Sequence, residues 1–267
     1  MAPKIVPLLP HHRCYVEPFA GGLAVLFTKG KPAGSRNRSI EVINDKSEDL
    51  INLYRVMQDR ESFEELQHRL NYTLHSRLEH KRAREILKSD NDDQIDRAWA
   101  YFVAINGSFA NHLGAGFRFS TVRNESAKFS AKTNVDKLRA IHERLKFVQI
   151  ECDDAIKVIE RFDSSHTCFY CDPPYPGAEQ GHYGGYTMDD FLNLCETLNN
   201  IKGSFVLSNY PQEIPDYGWD RFEFQASMSA ARDKSTNKQR TEVVWRKVSE
   251  WAMERGERTT YQGGMFA

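Results

Sequence analysis

The chain lacks a net charge. Its 36 lysines and arginines meet 37 aspartates and glutamates over 267 residues, a formal balance of -1. A nucleic-acid binder often carries a basic surplus, so any basic face here has to be local. Cysteine is scarce and odd in number, five residues. That excludes a disulfide-stapled scaffold, which a chain of this length does not need, and makes a reducing, cytoplasmic setting the expectation. Cys168 and Cys171 have the spacing of a zinc or redox pair. No second pair follows at ligand spacing, and Thr167–Cys171 has the pattern of a buried strand, so the thiols are read as structural and no metal is expected. No apolar run approaches the roughly 20 residues of a membrane span. Met1–Pro10 has no apolar core of the kind a secretory signal carries. The phosphate-loop pattern and the dinucleotide fingerprint are both missing, and so is any internal repeat.

What is present is an ordinary globular composition, 40% hydrophobic and 27% charged, enough for one large domain or a domain with an insert. Tyr15–Phe19 has a short strand pattern, followed by the turn Ala20–Gly22 and a helix-like apolar run, Leu23–Phe27. After a Gly/Pro/Ser/Arg loop, Ile40–Ile43 is a second strand closed by Asn44 and Asp45. Leu50, Leu53, Tyr54 and Met57 then recur at helical spacing. The middle is charged and helix-compatible from Phe63 to Leu87 and helical again around Trp99–Asn106. From Gly107 to Lys132 no period is visible, which predicts a loop or hairpin region. Val135–Leu145 reads as a helix. The strand–helix rhythm returns at Phe147–Ile150, Ala155–Arg161, Thr167–Cys171, Met188–Leu198 and Ser204–Ser208. Phe222–Phe224 and Glu242–Trp245 read as late antiparallel or edge strands.

The fold class predicted is α/β: a Rossmann-like sheet interrupted by a mostly helical insert. The expected organisation is a main domain from residues 1–58 and 147–250, an insert over 59–146 and a tail over 251–267. Charge is uneven within it. Arg118–Lys146 holds eight Lys or Arg against three acidic residues, and Met228–Lys247 six against two. Two such segments can make one basic face. Arg118, Arg123, Lys128 and Lys132 are the candidate DNA contacts in the first.

Two segments carry chemistry. Phe19–Gly22, after a strand, offers a ligand close approach to backbone and the free N–H groups of a helix start. Asp45, at the end of the next strand, can accept from both hydroxyls of a ribose. Without phosphate signatures, a nucleoside-like ligand fits better than a triphosphate. Asp172-Pro-Pro-Tyr175 follows a hydrophobic strand, at the end where open sheets bind ligands. Asp172 and the Pro173 carbonyl can each accept an N–H of an exocyclic amine. The two prolines hold these acceptors without reorganisation. Tyr175 presents a face on which an extruded base can stack.

With these residues in view, the chain resembles the Dam-like family of DNA adenine-N6 methyltransferases. Tyr15–Phe27 is similar to the family's cofactor motif, Asn44-Asp45 with Leu50–Tyr54 to its ribose segment, and Ala98–Phe109 to the start of its recognition insert. Cys152–Asp154 resembles the position that contacts the cofactor's adenine, and Tyr170–Tyr175 the catalytic motif. Ser208–Tyr210 and Arg240–Trp245 also follow the pattern. The resemblance implies S-adenosylmethionine as methyl donor, held by Lys4, Glu17, Phe19, Gly21, Gly22, Asp45 and Asp153. It implies double-stranded DNA as substrate, with Asp172, Pro173 and Tyr175 around a flipped adenine. The chain departs from the family in having Ala2-Pro3 before Lys4 in place of two glycines, and Asn111–Arg118 in place of the stretch that reads GATC. Gly177–Tyr186 is a candidate cover for the flipped base. Gln262–Phe266 loosely resembles a sliding-clamp peptide. A monomer is expected.

Overall fold

The structure, a computed structural model, describes residues 1–32, 39–176, 185–227, 239–255 and 261–262. Along the chain come α1 (Ala2–Ile5), β1 (Cys14–Glu17), α2 (Ala24–Lys29), β2 (Lys31–Pro32) and β3 (Ile40–Asn44). A helical stretch follows: α3 (Glu48–Gln58), α4 (Arg60–Asn71), α5 (Arg77–Lys88), α6 (Gln94–Gly107), α7 (Glu125–Lys132) and α8 (Val135–Leu145). Then come β4 (Gln149–Glu151), α9 (Ala155–Phe162), β5 (Thr167–Cys171), α10 (Met188–Asn200), β6 (Ser204–Asn209), β7 (Asp220–Ser227), β8 (Gln239–Lys247), α11 (Glu250–Arg255) and β9 (Tyr261–Gln262). Among the described residues, 1–46, 153–176 and those from 185 onward form one compact unit, and 47–152 a second.

In the first unit six strands lie in the order β3-β1-β5-β6-β8-β7. β3, β1, β5 and β6 are mutually parallel, and β8 and β7 close the sheet antiparallel. Every residue of β1, β5 and β6 is buried. Parallel strands covered by helices on both faces must be apolar on both, which is why they read as continuous hydrophobic runs. Val16, Val42, Phe169, Phe205 and Leu207 pack in one core with Val158 and Ile159 of α9 and Phe191, Leu194 and Leu198 of α10. The chain leaves β1 for β3 on one side and returns later to β5 on the other. The order therefore reverses at β1, and the carboxyl ends of β1 and β5 are where open sheets of this kind bind ligands.

The second unit is helical apart from β4. It departs from the sequence pattern at two places. The stretch from Phe63 to Leu87 is two helices, because Ser76 starts a new one by accepting from the Glu79 N–H at 3.1 Å. The region from Gly107 to Lys132 contains an antiparallel bridge, Ser108 to Phe117, but also the helix α7, capped by Asn124. With Phe129 as its one large apolar residue, α7 is too short to show a period. In the first unit, β2 and β9 pair antiparallel, Lys31 with Gln262 and Pro32 with Tyr261; strands of two residues leave no pattern to read. Residues 177–184 of the candidate cover, residues 228–238 of the second basic segment and residues 263–266 of the candidate clamp peptide lie outside the described residues. No described helix is long and apolar enough to cross a membrane.

Candidate active site

β1 delivers Glu17 to the reversal point with only 1% of its surface exposed. Such a carboxylate needs a partner, and Tyr15 Oη donates to its Oε1 at 2.7 Å. The chain then turns. Gly21 has φ +45°, a conformation that penalises a Cβ, and a Cβ built on Gly21 or Gly22 meets nothing within 4 Å. The turn thus borders open space. It is tied to the end of β3: Ala20 N donates to Asn44 O at 2.7 Å and Gly21 N to Asp45 Oδ2 at 3.1 Å. Asp45 is itself 2% exposed. Glu17, Gly21 and Asp45 are therefore brought together as the sequence suggested, with Phe19 packed against the core.

Asp153 follows β4. Its carboxylate accepts from the Asp154 N–H at 2.8 Å and from Arg161 Nη2 at 2.8 Å, and these two contacts, backbone first, hold its carboxyl below the usual range. Lys4 is placed at the far strand of the sheet. Its Nζ donates to the Gln225 carbonyl at 3.3 Å and sits 5.4 Å from the centre of the Phe224 ring.

β5 carries its buried cysteines into the core; burial pushes the Cys168 thiol up to about 12 and raises that of Cys171. The strand ends at Asp172. Pro173 is buried, and its carbonyl accepts no hydrogen bond among the described residues. Asp172 Oδ1 accepts from Ser208 Oγ at 3.0 Å and from Tyr175 Oη at 3.4 Å. Solvent still reaches the carboxylate, but protein on its remaining sides disfavours the charge, as does Glu242, and the carboxyl is pushed up to about 6. The Tyr175 and Tyr210 rings lie 4.2 Å apart at 47°, a pair of aromatic faces beside the acidic group.

Three participants lie outside the two chemical segments, in stretches the family resemblance marked without giving them a role: the Ser208 hydroxyl, the Tyr210 ring and the Glu242 carboxylate. Ser208 and Tyr210 sit at the end of the strand next to β5 in the sheet. Glu242 lies on β8, just past the Asn209–Val243 pair. Only the strand order makes them neighbours, and sequence spacing does not reveal it.

In the second unit, three of the four basic candidates satisfy one another's surroundings. Arg118 is 15% exposed at its side chain. Its Nε lies 3.1 Å from Glu125 Oε2, and its guanidinium donates to the Asn106 carbonyl at 2.7 Å and to Asn111 Oδ1 at 3.2 Å. Lys132 donates to Asn106 Oδ1 at 2.7 Å and Asn111 Oδ1 at 3.0 Å. Desolvation and then Arg118 bring its ammonium down to about 8. Lys128 pairs with Glu125 at 2.9 Å. Arg123 alone of the four is exposed with no hydrogen bond from its side chain among the described residues.

The sequence has counterparts among known proteins. The chain is 26% identical to the Type II methyltransferase M1.LlaDCHI of Lactococcus lactis subsp. cremoris, over 91% of this chain and 90% of that protein. It is 29% identical to the Type II methyltransferase M.MjaIII of Methanocaldococcus jannaschii, over 66% of this chain and 64% of that one. Residues 1–224 match the family described as D12 class N6 adenine-specific DNA methyltransferase. Since that match spans both the turn after β1 and the Asp172–Tyr175 corner, the chain belongs to the D12 class of DNA methyltransferases.

Proposed function

We propose that this protein transfers the methyl group of S-adenosylmethionine to the N6 amine of adenine in duplex DNA, with the target base turned out of the helix. One observation carries the reading. Asp172 stands at the carboxyl end of β5 with Oδ1 engaged and no partner on Oδ2 among the described residues. It stands beside two tyrosine faces and next to the Pro173 carbonyl, which accepts no hydrogen bond among the described residues.

The donor set suits a nucleoside-type cosubstrate. Buried Glu17 and Asp45 offer carboxylate acceptors to hydroxyl and ammonium groups, and open space beside Gly21 and Gly22 admits a ligand against backbone. S-adenosylmethionine supplies an activated methyl on sulfur. The residues of this chain do the rest by positioning. Asp172 Oδ2 and the Pro173 carbonyl accept the two N–H bonds of the amine, which turns its lone pair toward the methyl carbon. Tyr175 and Tyr210 hold the base plane, and base extrusion costs a few kcal/mol that stacking offsets. As the N–C bond forms and the S–C bond breaks, the amine becomes cationic, and Asp172 is poised to take its proton. The second unit is the proposed DNA reader, with Arg123 on its surface.

Purified protein, labelled methyl donor and duplex DNA test this directly. Digestion to nucleosides followed by mass analysis is expected to give N6-methyl-deoxyadenosine and, for Asp172→Ala, no product although the variant melts no lower than the parent. N4-methyl-deoxycytidine as product would replace the target base. Near-normal transfer by Asp172→Ala would remove the assignment.

A further inference from the structure

β6 brings to the catalytic corner a hydroxyl that neither motif contains. Register pairs Cys171 with Leu207, so Ser208 is carried alongside Asp172. Ser208 is 3% exposed, and its Oγ has three oxygen neighbours. They are Asp172 Oδ1 at 3.0 Å, Tyr170 Oη at 3.1 Å and the Cys171 carbonyl at 3.5 Å. A hydroxyl has one hydrogen to give. The shorter distance and the carboxylate's charge direct it to Asp172, because charge-assisted bonds are the stronger. Ser208 Oγ is then free to accept from Tyr170. Burial raises the Tyr170 phenol well above its ordinary value, so it keeps its proton and donates. The charge on Asp172 favours the order Tyr170 to Ser208 to Asp172 Oδ1, and the Tyr170 phenol adds a smaller stabilising pull of its own on the carboxylate.

Tyr175 also points its hydroxyl at Oδ1, at 3.4 Å. Both donors select the same oxygen, and Oδ2 has no partner among the described residues. We propose that Tyr170 and Ser208 form a positioning relay that locks the rotation of the Asp172 carboxylate, so that Oδ2 faces the target amine. The inference rests on Asp172 being the amine's acceptor. Without the relay, the carboxylate is held only by the longer Tyr175 contact and rotates away from a single aim. A misplacement of about 1 Å costs on the order of 100-fold in rate.

The relay has a signature that a purely structural serine lacks. The titratable groups around Asp172 are Tyr170 and Cys171 on β5, Glu17 on β1, Tyr175 on the turn, Tyr210 after β6 and Glu242 on β8. The Ser208 hydrogen bond is the largest contact that lowers the Asp172 value, ahead of those of Tyr175 and Tyr170. Removing it moves the acid limb of the rate profile upward from about 6.

The test uses full-length Ser208→Ala and Tyr170→Phe, with Asp172→Ala as reference, in methyl transfer to duplex DNA between pH 5 and 9. A cofactor-binding titration is run in parallel. Ser208→Ala is expected to lose about 30-fold in kcat, to bind S-adenosylmethionine within twofold of the parent and to have its acid limb shifted up by about one pH unit. Tyr170→Phe is expected to show a smaller loss and shift in the same directions, and no further loss when added to Ser208→Ala. A parental kcat and acid limb in Ser208→Ala, with Asp172→Ala dead, overturns the relay and leaves the acceptor assignment standing. Activity in Asp172→Ala overturns the assignment itself. If Ser208→Ala does not fold, Tyr170→Phe decides, and an unmoved acid limb there rejects the relay.

Discussion

The side-chain amide of Asn44 grips the backbone of Asp153 at both ends: Asn44 Oδ1 accepts from Asp153 N at 2.9 Å and Nδ2 donates to Asp153 O at 3.0 Å. Nδ2 also donates to the Pro18 carbonyl at 2.9 Å, and the residue is fully buried. One amide thus ties together the turn after β1, the end of β3 and the segment before α9. Asn44→Ala leaves the buried Pro18 carbonyl and the half-buried N–H and carbonyl of Asp153 without this partner, at a cost of about 3 kcal/mol. Urea unfolding measures it. Asn44→Asp is expected to be at least as damaging, since it turns the donor toward two carbonyls into an acceptor. A loss below 1 kcal/mol in both variants would show that water replaces the clasp.

The clasp also shows where reading the sequence stops. Asn44 was legible as a strand end, because an apolar run closing in Asn-Asp marks one. That its amide meets a backbone 109 positions away is set by the tertiary fold and leaves no mark in local spacing. The same holds for Ser208 and Glu242 beside Asp172. By contrast, the two motif segments were readable because each is local. Gly21 is needed by its own backbone, and Asp172-Pro-Pro-Tyr175 is stiff by its own covalent structure. Arg118 marks the opposite limit. Its charge suggested a partner outside the protein, and the structure gives it Glu125, Asn106 and Asn111 within.

Lys29 and Glu41 form an ion pair shut away from solvent, with Lys29 at 2% and Glu41 at 5% exposure. The ammonium also lies 4.2 Å from the centre of the Tyr15 ring, the residue that donates to Glu17. Removing one member leaves a buried charge, so Lys29→Met is expected to cost about 3–5 kcal/mol. Adding Glu41→Gln should restore part of that loss, which makes the pair non-additive. Denaturant titration of the two single variants and the double decides it. A double variant as unstable as the sum of the singles would mean that the two residues do not share one energy.

Asp172 predicts a conflict between stability and activity. Its carboxyl titrates at about 6 in the fold against an ordinary 3.8. A raised carboxyl value means that the folded state resists ionisation, so the fold loses stability as pH climbs from the ordinary value through the folded one, and the loss is complete above it. Asp172→Asn removes that charge. Solvent access screens the effect, so the gain at pH 7.5 is about 1 kcal/mol rather than the full value of the shift. The gain should close as pH falls toward 4, while methyl transfer is lost at every pH. Melting curves across that range test the sign; a variant less stable than the parent at pH 7.5 would show that the charge is welcomed by the fold.

Arg118 and Arg123 should separate structure from recognition. Arg118→Ala strips Glu125 of a partner and frees two acceptors in the bridge region, so it is expected to lower the melting temperature by about 5 °C. Lost DNA affinity in that variant would follow from the altered hairpin. Arg123 is exposed, and its replacement removes a positive charge while leaving the hydrogen bonds of Arg118 in place. Arg123→Ala is therefore expected to melt like the parent. If Arg123 touches a phosphate, its loss weakens duplex binding evenly across sequences and reduces the slope of log affinity against log salt by about 1. Fluorescence anisotropy at several salt concentrations, alongside melting curves, reads both effects. An Arg118→Ala variant that melts normally yet loses affinity for one base position would make Arg118 a direct reader of DNA after all. An unchanged salt slope in Arg123→Ala would place the phosphate contacts on other cations.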